Sequence, residues 1–222
     1  MKVVNVILLI AFFSFSLIAQ DAKFESAMKK GLEQLNAAQT LEDFQKAANL
    51  FERIAGAEPE QWLPTYYESY AQMRMAAQSF QQQQLEQCQA HLDKAQTALD
   101  KAKKIAPEES EVYALQGFIY QGRIWEDPQT KGAEFSPLSQ QVLDKAIQLD
   151  PENPRAYYLK GQLVFHTPEF WGGGAENALP ILQKAQEKYQ SAKSANDLAP
   201  GWGQETNAYF LKKALEAVEA NR

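Results

Sequence analysis

Cys88 and His91 stand three residues apart, a spacing that puts both side chains on one face of a helix, and a sulfur beside an imidazole is how many zinc sites begin. Such a site needs three or four ligands, and His166 is the only other histidine. Cys88 is also the only cysteine, which excludes an internal disulfide and reads as a small apolar residue buried on a helix. His166 has the chemistry of a general base, but no serine, cysteine or carboxylate is tied to it by local spacing, so it reads as a histidine at a helix end. Glu126 and Asp127 beside Trp125 form an acid pair with nothing to fix its geometry, and read as a loop anchored by the tryptophan. Trp171-Gly172-Gly173-Gly174 precedes a helical segment and has the donors of an anion cradle. It lacks the lysine and hydroxyl of a nucleotide loop, and a wide turn between two helices explains its glycines. No catalytic residue, cofactor or metal ligand is expected.

The elements that would position any site are helices. Pro59, Pro107 and Pro151 are each followed ten residues later by a tiny residue, Ser69, Gly117 and Gly161. Eight residues before the prolines stand Phe51, Leu99 and Leu143, and five before stand Ile54, Ala102 and Ala146. Each proline therefore closes a helix with a regular inner face, and the pattern is an internal repeat that can bury its apolar surface only by stacking.

A first stripe, Phe24, Met28, Leu32 and Leu35, is followed by Thr40 and Asp43 at capping-box spacing and a second helix to about Ala57. The glutamine-rich stretch from Gln78 keeps Leu85, Cys88, Leu92, Ala95, Leu99 and Ala102 in helical register, which argues for an ordered helix. The 125–135 stretch reads as an excursion on one rim, with Ser136 and Pro137 starting the next helix. Pro180 falls near the start of a later helix and predicts an irregular first turn or a regular helix that begins one turn late. A last segment after Pro200-Gly201-Trp202-Gly203 has the charged outer face of a capping helix. Nine helices and no strand are expected, an all-α superhelix of about four pairs plus a cap.

Residues 1–19 carry Lys2 and an apolar core from Val6 to Ala19, and read as a secretory signal preceding one domain over 20–222. The core is short for a span of roughly 20 apolar residues; an uncleaved anchor is the alternative. The formal net charge of −6 disfavours nucleic acid and anionic lipid as partners. A periplasmic or extracellular location follows, with no integral membrane span after signal cleavage.

The segments LDKAKKIAP, PEESEVYALQGFIY and LDKAIQLDPENPRAYYLKGQ resemble tetratricopeptide (TPR) repeats, and the match covers most of residues 40–200. The pattern's aromatic or apolar residue falls on Tyr113 and Tyr157 but on Thr65 in the first unit, and its second small residue falls on Ala47, Ala95 and Ser139. The prolines are further apart than the roughly 34 residues of this repeat, so each unit is lengthened. TPEFWGGGAENALPILQKA and APGWGQETNAYFLKKA also resemble exported repeat proteins of the Bacteroidetes type.

The resemblance implies that the first helix of each pair lines a concave surface. Its positions are Leu63, Tyr66, Tyr70, Met73 and Arg74, then Glu111, Ala114, Phe118, Gln121 and Gly122, then Arg155, Tyr158, Gln162, Phe165 and His166. The partner-binding set expected from these is Tyr66, Tyr70, Arg74, Phe118, Gln121, Arg155, Tyr158, Gln162 and His166. An aromatic strip of Tyr66, Tyr70, Phe118 and Tyr158 would grip a peptide, with Arg74 and Arg155 meeting a carboxylate. Folding of the strip into the core between units is the alternative. The leading expectation is a non-enzymatic protein- or peptide-binding adaptor of the cell envelope. The runner-up is a small-molecule-binding component of an envelope transport system.

Overall fold

The computed structural model describes residues 21–192 and 196–220; the expected signal at 1–19 lies outside them. Among these residues nine α-helices follow one another: α1 over 21–37, α2 (Leu41–Ala57), α3 (Trp62–Gln81), α4 (Leu85–Ile105), α5 (Ser110–Ile124), α6 (Pro128–Leu149), α7 (Pro154–His166), α8 (Ala175–Ser191) and α9 (Gln204–Ala220). A single 3₁₀ turn, Glu169–Trp171, separates α7 from α8, and no strand occurs among the described residues. Thr40 and Asp43 form the expected capping box at α2. Helices α2, α4 and α6 each end two residues before their proline, because the residue preceding a proline is pushed out of the α region.

Consecutive helices pair as α3–α4, α5–α6 and α7–α8, while α3, α5 and α7 also touch one another along an inner layer, and α9 caps α7 and α8. This is a TPR-like α-α superhelix. The repeat positions explain the pairing. A Cβ at Gly117 would lie 2.6 Å from Leu143 Cγ, and one at Gly161 would lie 2.6 Å from Leu182 Cδ2, so the leucine of the second helix occupies the space a side chain would need. The same contact recurs between Gly31 of α1 and Phe51, with 2.7 Å to the ring. Where serine replaces glycine its hydroxyl is used across the crossing: Ser69 Oγ donates to the Ala95 carbonyl at 2.8 Å. In α8 the buried series Ala178, Leu182, Ala185 repeats the spacing of the earlier second helices without any proline behind it.

Two local expectations are corrected. Residues 128–135, expected as an excursion, form the first turns of α6, because Asp127 caps the helix and Pro128 occupies its first position. Asp127 Oδ1 accepts from Gln129 N at 3.1 Å, and Thr130 Oγ1 donates to Asp127 Oδ2 at 2.6 Å. Pro137, expected at a helix start, lies inside this helix. Pro180 lies inside α8, whose regular structure begins at Ala175.

Gly161→Leu forces a side chain into the space held by Leu182, and overpacking of this kind costs about 1–3 kcal/mol. Urea denaturation followed by circular dichroism should show a lowered midpoint with a similar slope. An unchanged midpoint would contradict the crossing described here.

Candidate functional site

The first-helix tyrosines do converge, but on the chain's own Trp202. Residues 196–203, which lead into α9, return across the inner layer. Tyr67 Oη donates to the Leu198 carbonyl at 2.7 Å, and Lys29 lies 3.3 Å from Asp197, so this strap reaches back to α1 and α3. Trp202 then stacks on Tyr70 with ring centroids 4.7 Å apart and on Phe118 at 5.9 Å. Its indole Nε1 donates to Tyr66 Oη at 2.9 Å. Gly203 follows with φ of +102°, and a Cβ there would sit 2.3 Å from Tyr189 Oη and 3.2 Å from the Tyr158 ring. Only glycine meets both the backbone conformation and the space.

Beneath the indole is a buried ion pair. Arg155 Nε and Nη2 donate to the two Glu111 carboxylate oxygens at 2.6 and 2.5 Å, and both residues are 8% exposed. Tyr66 Oη lies 3.4 Å from Glu111 Oε2, so indole, phenol, carboxylate and guanidinium form one chain of polar contacts. Arg155 thus already holds an internal carboxylate, supplied by α5. Burial holds the Tyr66, Tyr67, Tyr70, Tyr158 and Tyr189 phenols above their ordinary range, which keeps them neutral O–H groups.

Of the nine expected partner-binding residues, Tyr66, Tyr70, Phe118 and Arg155 are brought together around Trp202, and Tyr158 packs against Gly203 beside it. Tyr66, Tyr70, Arg155 and Tyr158 are buried. Gln121 is buried on another side of α5, donating to the Leu159 carbonyl at 3.0 Å and to Ser139 Oγ at 3.3 Å. Arg74 is exposed, with its guanidinium 5.0 Å from the Phe44 ring centroid and 3.3 Å from Tyr70 Oη. Gln162 is half-buried on α7. His166 is exposed at the end of α7, its ring edge-on to Phe165 and Phe210 with centroids 5.4 Å away in each case. Trp202 and Glu111 fall outside the expected partner-binding set. Glu111 is one of the inward-facing positions of the repeat, and the Pro-Gly-Trp-Gly run around Trp202 is the only local sign of an anchored turn.

The remaining candidates resolve into local structure. Cys88 is buried, its thiol pushed up to about 11 by desolvation, and His91 Nδ1 lies 2.9 Å from Gln72 Oε1. Among the described residues no group of three His, Cys, Asp or Glu side chains converges. The glycine run after Trp171 uses its amides internally: Gly172 N donates to the Glu169 carbonyl, Gly173 N to Pro168 and Gly174 N to Val164, at 2.8, 3.1 and 2.9 Å. It is a closed turn. Trp125 stacks on Phe80 at 5.2 Å and meets Phe118 edge-on at 6.4 Å, anchoring the end of α5.

Glu111→Gln removes the anion that neutralises a buried guanidinium, a change that costs about 3 kcal/mol. The double variant Glu111→Gln/Arg155→Met should recover part of that loss in chemical denaturation. Equal instability of the single and double variants would mean that the charge pairing is not what Glu111 contributes.

No family model and no curated protein matches the chain. Among solved structures, the HusA haemophore from Porphyromonas gingivalis superposes with a TM-score of 0.75 at 27% identity, covering 86% of this chain and 92% of that one. Looser likenesses are to a MamA RS-1 double mutant, with a TM-score of 0.46 at 19% identity over 77% of this chain and 78% of that one. Another is to a thermophilic TPR protein in Thermus thermophilus, with a TM-score of 0.43 at 16% identity over 86% of this chain and 98% of that one. No helix among the described residues is long and apolar enough to cross a membrane. The chain has a TPR-like helical-repeat fold.

Proposed function

We propose that this protein is a non-enzymatic, exported binding protein whose cargo is a planar tetrapyrrole of the haem type. The observation that carries the reading is the likeness to a haemophore at a TM-score of 0.75, extending over 86% of this chain and 92% of that one. Two features of the chain itself support it. The inner aromatic strip is covered by Trp202 and its arginine is neutralised by Glu111, so a peptide laid on Tyr70 and Phe118 would first have to displace the strap. Residues 1–19 have the composition of a secretory signal, which suits a protein that meets its cargo in the periplasm or outside the cell.

A protein or peptide partner is the second reading, and one contact favours it. The sandwich of Tyr70 and Phe118, with Tyr66 Oη accepting from the indole, is a ready seat for an aromatic side chain. A partner would have to displace the strap to use it.

Ferric haem titrated into the purified protein should give a saturable change in the Soret band at a ratio of haem to protein that is a simple integer. The absence of saturable binding would overturn the haem reading and leave the peptide adaptor as the better one.

A further inference from the structure

Resting on the haem reading, we propose that the cargo seats on an exposed aromatic platform where α7 ends, built from Phe170 and Trp171, with His166 as the group that reaches the iron and Tyr209 and Lys213 of α9 at its margin. Phe170 and Trp171 are 80% and 74% exposed and Tyr209 is 56% exposed, the three largest values among the exposed large apolar side chains. Tyr66, Tyr67, Tyr70 and Tyr158 on the inner layer are, by contrast, all buried. Phe170 and Trp171 touch each other, and contiguous exposed apolar surface of this sort is where binding sites are found.

The platform is held by its backbone. The Glu169–Trp171 turn folds back through Gly174 N to the Val164 carbonyl at 2.9 Å, and Gly172 and Gly174 adopt φ of +82° and +90°. A Cβ on Gly173 would lie 2.1 Å from the Thr167 carbonyl oxygen, so the loop packs directly on the end of α7. The Phe170 and Trp171 rings lie 5.4 Å apart at 47°. Close by in the chain, His166 is fixed between Phe165 and Phe210, and Tyr209 meets Phe210 edge-on at 5.3 Å. Lys213 holds its ammonium 6.0 Å from the Tyr209 ring centroid and 3.4 Å from Glu216.

These groups match one ligand chemistry. Apolar rings take the face of a macrocycle, a neutral imidazole donates a lone pair to iron, and an ammonium meets a peripheral carboxylate. Although the residue as a whole is exposed, packing of the His166 ring against Phe165 and Phe210 lowers its proton affinity and favours the neutral, ligating form. His91 is half-buried with Nδ1 beside Gln72, which leaves His166 the better-placed imidazole.

The test compares ferric haem with metal-free protoporphyrin IX on the full chain. Phe170→Ala/Trp171→Ala, two exposed positions whose loss should leave the helical circular dichroism intact, is expected to weaken both ligands at least tenfold. His166→Ala is expected to weaken haem more than the metal-free ring and to move the Soret maximum. Wild-type binding that is undiminished in the Phe170/Trp171 variant overturns this seat while the haem reading stands. Loss of binding in Tyr70→Ala instead would also overturn it, placing the cargo in the inner strip. Failure of the wild type to bind either ligand overturns seat and reading together. If the variant alters only the sedimentation coefficient, the platform is a contact between copies of this chain and the proposal fails.

Discussion

The close crossing of the two helices in each pair, where Leu143 covers Gly117 and Leu182 covers Gly161, sets the dimensions of everything else. Because the first helix carries no side chain at that point, the second approaches its backbone, and the leucine buries itself in the vacated space. Ser69 achieves a comparable approach by turning its hydroxyl onto the Ala95 carbonyl, which satisfies the polar group the crossing would otherwise strand. Repetition of this contact from Gly31 to Gly161 aligns the first helices as one inner layer. The inner faces of α3, α5 and α7 are then near enough for a single indole to touch two of them and donate to a third side chain.

That convergence creates a demand as well as an opportunity. Three tyrosines, a phenylalanine and an arginine on the inner layer would leave apolar surface and a cation facing the concavity. The strap and Glu111 answer the two parts separately. Trp202 covers the rings, and its one polar atom is matched to Tyr66 Oη. Glu111 supplies both carboxylate oxygens to Arg155, so the charge is neutralised before the indole lies over it at 6.0 Å. A buried ion pair of this kind adds little net stability against an apolar alternative, but it fixes geometry, because neither partner tolerates the other's absence. Here it ties α5 to α7 at the point where the strap rests.

Local features of the fold were legible in the sequence because their causes are local. Thr40 and Asp43 cap α2 through neighbouring amides, and the prolines end α2, α4 and α6 by excluding the preceding residue from helical geometry. The start of α6 was harder, since Asp127-Pro128 and Ser136-Pro137 both have the chemistry of a cap followed by a first helical residue. Asp127 prevails by serving two amides and the Thr130 hydroxyl, and Phe135 then comes within 6.0 Å of the Tyr120 ring. The inward direction of Tyr66, Tyr70, Phe118, Arg155 and Tyr158 followed from the resemblance to TPR repeats. What fills the space they face did not, because Tyr66 and Trp202 are 136 residues apart and no periodicity relates them.

The two aromatic regions differ in how their exposure is controlled. Around Trp202 the rings are covered by a strap anchored at Leu198, Trp202 and Gly203, so any ligand there must compete with an intramolecular partner whose effective concentration is high. At the end of α7 the reverse holds. The Gly172–Gly174 amides are bonded to the Glu169, Pro168 and Val164 carbonyls, which leaves Phe170 and Trp171 projecting against each other with no covering strap to displace. A rigid frame carrying uncovered rings loses little conformational freedom when something flat settles on it. The interior strip is therefore suited to holding the superhelix shut, and the turn after α7 to meeting a ligand from solution.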